Sequence, residues 1–149
     1  MLLSKNDDMC HEHKFEIIEH TADVGVIGKG CTMADAFEAA AYGMFSIVAD
    51  LEKYQPTVQK QFAIVGSDDI MLFERFLSSL LVVFDGDRLL PLDFEITEIS
   101  MGRLTFWLSA RPIGDDIEWL GPTIKAVTWH HMAVEKKDGE WAAQAIFDV

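Results

Sequence analysis

The sequence predicts an α+β domain, an antiparallel or mixed sheet with two helices, from three observations. Two stretches repeat apolar residues at helical spacing, and the remaining apolar stretches read as strands. Their order is strand, strand, helix, strand, helix and then four strands, which suits antiparallel strands with the helices grouped on one side.

Each element has its own signal. Phe15 to Ile18 is strand-like, and after Glu19-His20-Thr21 a second apolar run, Ala22 to Ile27, closes in a turn signal, Gly28-Lys29-Gly30. Thr32 opens a helix with Asp35 in its first turn, where orphan N–H groups and the helix dipole favour a carboxylate. Phe37, Ala41, Met44 and Val48 form its buried face. Thr57 to Val65 partly alternates and reads as a half-buried strand. Ser67, Asp68 and Asp69 offer caps for a second helix with the face Phe73, Phe76, Leu77, Leu80 and Phe84, ending near Gly86. Leu92–Ile99, Leu104–Ala110, Thr123–Val134 and Trp141–Phe147 read as strands, separated by Met101-Gly102, by the loop from Pro112 to Gly121 and by a hairpin signal, Lys137-Asp138-Gly139. Residues 1–13 are polar and irregular and read as a flexible N-terminal segment; residues 14–149 contain no linker and read as a single domain.

Lys+Arg 12 against Asp+Glu 25 leaves a formal net charge of −13 with His neutral. A protein that grips a nucleic acid backbone gathers Lys and Arg to displace counterions, and this sequence has no such cluster, so no direct nucleic acid binding is expected. A hydrophobic content of 50% with Pro 4 places the chain among folded domains and apart from disordered acidic tails. The opening Met-Leu-Leu-Ser-Lys-Asn-Asp-Asp carries no apolar signal core. The longest apolar run, Leu80 to Phe84, is far short of the ~20 residues that cross a bilayer. Cys10 and Cys31 form no Cys-x-x-Cys pair and predict no disulfide framework. The expected setting is a reducing cytoplasm, away from membranes.

Nucleotide-binding fingerprints are missing. Gly-Val-Ile-Gly-Lys-Gly fits neither the dinucleotide fingerprint nor the P-loop, and no nucleophile elbow or zincin motif occurs. Asp23 is conspicuous within His20-Thr21-Ala22-Asp23-Val24-Gly25, because a carboxylate among small and apolar residues must be exposed, hydrogen-bonded or facing a cation. A turn or cap would also account for it, and His20 fits ordinary backbone contacts. Asp148 stands directly before Val149, and two neighbouring oxygen-rich groups can converge on Ca²⁺, Mg²⁺ or Mn²⁺, although such an Asp can equally be solvated. In Lys125-Ala-Val-Thr-Trp-His130-His131, strand alternation sends His130 and His131 to opposite faces, so they cannot share one metal. Cys10-His11-x-His13 holds soft ligands but no fourth partner.

The run Phe15 to Gly25, the later Ile124-Lys125-Ala126-Val127-Thr128-Trp129-His130 and the closing Ile146-Phe147-Asp148-Val149 together resemble the archease family, in the right order and over essentially all of the chain after residue 14. The resemblance implies a strand-helix-strand-strand (SHS2-like) archease fold and an accessory role: activation of the RtcB-type tRNA-splicing RNA ligase, promoting its guanylylation and turnover, with no stand-alone enzymatic activity. It also implies an acidic divalent-cation site at Asp23, Asp148 and Val149, with His20, Lys125 and His130 as residues for partner contact or activation. Where relatives tend to read Asp-Trp-Leu-Asn-Glu in the second helix, this chain has Arg75-Phe76-Leu77-Ser78-Ser79, which removes acidic groups and keeps apolar packing residues. Two other readings fit the same residues: a small metal-dependent phosphohydrolase using Asp23, Asp148 and His20 or His130, and a chaperone-like modulator of an RNA-processing enzyme such as a tRNA methyltransferase.

Overall fold

The structure, a computed structural model, describes residues 13–19 and 23–149. Expectations placed on residues 1–12, among them Cys10-His11, and on His20 lie outside the described residues. The chain runs β1 (Lys14–Glu19), β2 (Asp23–Gly30), α1 (Met33–Val48), a short 3-10 turn (Leu51–Lys53), β3 (Val58–Val65), α2 (Asp69–Gly86), β4 (Leu89–Ser100), β5 (Arg103–Pro112), β6 (Ala126–Lys137) and β7 (Glu140–Asp148). This is the α+β order that the apolar spacing predicts, with the strands divided between two sheets. One has four strands in the order β1-β2-β7-β6 and the other three in the order β3-β5-β4, every pair antiparallel.

Local chemistry sets the element ends. The Thr32 hydroxyl accepts from the Asp35 N–H at 3.0 Å, and the Asp68 carboxylate accepts from the Met71 N–H at 2.8 Å, so each helix begins on a side-chain cap. Asp138 and Gly139 both take positive φ, 54° and 79°, as a tight hairpin between twisted strands requires. At the end of α2 the left-handed residue is Arg88 (φ 56°), whereas Gly86 remains within the helix. Pro91 lacks a donor but lies on β4, an edge strand, beside a register shift.

Each helix touches strands of both sheets: α1 lies on β1, β2, β7 and β4, and α2 on β6, β3 and β4. The core fills this junction. Phe37, Met44, Phe73, Phe76, Leu77, Leu80, Phe106 and Phe147 are fully buried, and Phe76 meets Phe106 edge-on at 4.9 Å between ring centroids. Phe76 and Leu77 therefore keep the packing role expected of them, while Arg75 turns outward to donate to the Val65 carbonyl at 2.7 Å. No helix among the described residues is long and apolar enough to cross a membrane.

Three expectations need correction. Gly28-Lys29-Gly30 is not a turn, since β2 continues through Gly30 with Gly28 opposite Ala143 and Gly30 opposite Trp141. The glycines are there because α1 lies against the strand: a Cβ on Gly28 would stand 2.2 Å from the Ala36 carbonyl oxygen and 2.4 Å from the Ala40 nitrogen. β6 starts at Ala126 and not at Thr123. Cys31 is disulfide-bonded, against the reduced state that the cysteine spacing suggested, because a Cys-x-x-Cys test is blind to bridges between distant segments.

Gly28→Ala should destabilise the fold by about 1–3 kcal/mol, the scale of overpacking a tight core, because backbone and not a pliable side chain blocks the new methyl. Urea unfolding of wild type and variant measures this; a difference within about 0.5 kcal/mol, the range of an ordinary surface change, would contradict the close approach.

Candidate functional site

β2 and β7 are neighbours in the middle of the four-stranded sheet, and their ladder closes on Asp23 facing Asp148. Directly opposed residues of an antiparallel pair project from the same face with Cβ atoms about 4.5–5.5 Å apart. Two carboxylates distant in sequence, at the start of β2 and the end of β7, are thus brought side by side. The next rung inward pairs Val24 with Phe147, which is fully buried, so alternation sends Phe147 into the core and Asp148 to the open face. Asp148 is exposed and Asp23 half-buried, and among the described residues neither carboxylate has a hydrogen-bond or ion-pair partner. Val149, half-buried, lines with Asp23 a cavity of about 460 Å³ between β1, the C-terminal half of α1 and the segment at Leu120–Pro122. The donors gathered here are all oxygens, the set a hard divalent cation prefers. No cluster of three or more Asp, Glu, His or Cys side chains fit to hold a metal occurs among the described residues, so water and main-chain oxygen would have to complete a shell.

Lys125 and His130 are placed elsewhere. The Lys125 N–H donates to the Asp148 carbonyl at 2.8 Å, anchoring the end of β7 through backbone alone. Its side chain lines a cavity with Ser78, Val82 and Asp85 of α2. His130 is exposed in an irregular part of β6, where that strand advances from Thr128 to Ala133 while β7 advances only from Ile146 to Gln144. The regular alternation that separated His130 from His131 fails there: His131 takes φ 54°, and the two rings stand 4.0 Å apart between centroids. Extra residues in one strand re-aim its side chains.

With this geometry in view, the comparisons with known proteins agree on one family. The model of the Archease protein family (MTH1598/TM1083) matches residues 15–149. The chain belongs to the archease family. It is 35% identical over 141 residues to protein archease of Pyrococcus abyssi, the match covering 91% of this chain and 99% of the other. It is 36% identical over 141 residues, with the same coverage, to protein archease of Thermococcus gammatolerans. The solution structure of Methanobacterium thermoautotrophicum protein 1598 superposes with a TM-score of 0.80 at 28% identity, covering 93% of this chain and 100% of that one. An archease of Thermotoga maritima, described as a possible chaperone, shares the fold with a TM-score of 0.61 at 20% identity, again covering 93% and 100%.

This archease carries a second group of ionisable residues that sequence reasoning missed. Glu38 of α1 accepts from the Ile96 N–H of β4 at 2.7 Å and lines a cleft of about 550 Å³ with His13, Asp93 and Trp107. Burial pushes its carboxyl up to about 7, opposed by the Ile96 hydrogen bond and reinforced by Asp35 nearby. Beside it His13 bonds the Asp93 carboxylate at 3.1 Å, which holds Asp93 below the usual carboxylate range. The available signal was a lone carboxylate inside the alanine-rich run Ala36 to Ala41, and helical periodicity alone did not single it out.

A folded-state pKa above the unfolded value means that the native state holds the proton more tightly, so the stabilisation is complete below about pH 4.5 and is lost as pH rises through about 7. Its upper limit is about 3 kcal/mol, from a shift of that size. Glu38→Gln should flatten this part of the stability profile and gain on wild type most at pH 8. Equal slopes for the two proteins between pH 4.5 and 7 in denaturant titrations would contradict it.

Proposed function

We propose that this archease is an accessory protein, not itself an enzyme, that activates an RtcB-type tRNA-splicing RNA ligase in the cytoplasm, promoting the ligase's guanylylation and multiple turnover. Asp23, Asp148 and main-chain oxygen of Val149 hold a divalent cation in this reading, Ca²⁺, Mg²⁺ or Mn²⁺. The observation that carries it is the facing of Asp23 and Asp148 at the end of the β2–β7 ladder with no partner among the described residues. Like charges placed directly opposite each other disfavour a sheet unless something neutralises them. A bound cation would supply that neutralisation and, next to a phosphate, charge stabilisation. The part of this chain is geometric: β2 and β7 fix the spacing of the carboxylates, and the Lys125 N–H on the Asp148 carbonyl keeps the strand end from fraying. The net charge of −13 suits a protein whose basic partner holds the RNA. His20, Lys125 and His130 are the further residues assigned here to partner contact or activation.

Mixing ligase, GTP and Mn²⁺ with this protein should accelerate ligase guanylylation. Asp23→Asn and Asp148→Asn should each lose most of the acceleration, by about tenfold or more, and weaken Mn²⁺ binding in calorimetry, since each removes one of few charged ligands. Undiminished acceleration by both variants would sink the assignment. Metal-dependent turnover of phosphate esters by the protein alone would favour the phosphohydrolase reading, and a pull-down dominated by a tRNA methyltransferase would favour the chaperone-like one.

A further inference from the structure

The cavity beside Asp23 has walls that a cation does not need. Ile17, Ile47, Leu120 and Pro122 line it together with Glu19 and Asp23. A hard cation binds oxygen and gains nothing from hydrocarbon. A long cationic side chain does gain, because its methylene stem lies against apolar surface while its charged head reaches carboxylates.

The rim strengthens the case. Leu120 is 57% exposed and Ile17 41%. This exposure does not come from a loose loop, for the backbone is pinned: the Leu120 N–H donates to the Val48 carbonyl at 2.8 Å, Trp119 bridges to Ala49, and its ring packs edge-on against Phe84 at 5.9 Å. Apolar side chains held outward on a fixed backbone lose little entropy when a partner covers them. A second cavity of about 580 Å³ shares Ser46 and Leu120 with the first and contains Asp50 and Glu52. Its lysine, Lys53, is taken up by Glu118 at 2.8 Å, and its His13 bonds Asp93. The two cavities therefore form a groove with an apolar middle at Leu120 and carboxylates towards both ends.

We propose that this groove docks a basic segment of a protein partner, one Lys or Arg side chain lying along Ile17, Leu120 and Pro122 with its head at Glu19, beside the sheet end where Asp23 begins β2. Charge complementarity selects that occupant, since a polyanion would be repelled by a chain of net charge −13 and a neutral apolar segment would leave the carboxylates unpaired. The inference rests on the proposed function only in naming the ligase as the protein that carries the segment.

The full ¹⁵N-labelled chain titrated with n-butylguanidinium should show saturable shifts at the Val24, Leu120 and Gly121 amides, absent with n-butanol at the same concentrations. Leu120→Ser, an exposed change that spares the core, should weaken ligase association by about tenfold, the scale set by losing one buried leucine side chain, with Mn²⁺ affinity unchanged. No saturable shift, equal shifts with n-butanol, or unaltered ligase affinity in Leu120→Ser would overturn the proposal. The arms separate it from the cation assignment: retained guanylylation in the Asp148→Asn variant removes that assignment and leaves the groove standing, whereas Mn²⁺ binding without butylguanidinium binding does the reverse.

Discussion

The ladder between β2 and β7 is the constraint on which the rest depends. It pairs Asp23–Gly30 with Trp141–Asp148, so almost the whole domain is the loop that it closes. Loop closure grows only logarithmically with length, by about 0.6 kcal/mol per doubling, and Phe147, fully buried on this ladder, offsets it with roughly 1.5–3 kcal/mol of hydrophobic burial. Val26, Ala143 and Ala145 add fully buried side chains on the same face. That face is unusually flat because Gly28 and Gly30 contribute no side chain, and α1 settles onto it at backbone distance. One pairing thus sets the position of the first helix, the burial of the last strand and the meeting of two carboxylates distant in sequence.

The same pairing creates an electrostatic conflict. Facing carboxylates destabilise a sheet by roughly 0.2–1 kcal/mol, a small penalty beside the burial that holds the ladder, so the fold tolerates it without relieving it. Asp148 lies on the open face and Asp23 lines the cavity at the sheet end. A small cation would neutralise that pair through oxygen coordination alone, whereas a long cationic side chain in the cavity would meet Glu19 with help from Ile17 and Leu120. Asp148 marks the first and Leu120 the second.

Much of the fold was legible because its signals are local. Thr32 and Asp68 are caps whose partners lie within one turn, and Asp138-Gly139 dictates a hairpin through positive φ. The partner of Asp23 was not local: alternation shows which face a residue takes but not which strand lies beside it, and the Asp23–Asp148 convergence came from resemblance to a family, not from spacing. The glycines at 28 and 30 were misread for a related reason. A turn and a close helix approach both call for glycine, and only tertiary packing separates them. The histidines at 130 and 131 were misread because the extra residues in β6 leave no mark on hydrophobic periodicity. Glu38 went unnoticed because the burial that raises its pKa is set by tertiary packing, which helical periodicity does not show.

Among the described residues, no Lys or Arg side chain pairs with the carboxylates at the sheet end. Lys29 bonds Glu16, Lys53 bonds Glu118, and Arg111 grips Asp116 through both terminal guanidinium nitrogens at 2.8 Å while lying over the Tyr54 ring. Lys125 precedes Ala126, which pairs with Asp148, yet it gives the strand end its N–H and lines a cavity against α2. A carboxylate pair that packing forces together and that no side chain among the described residues neutralises is a place for a counter-charge, and the oxygen donors and the apolar groove beside them determine which kinds of cation suit it.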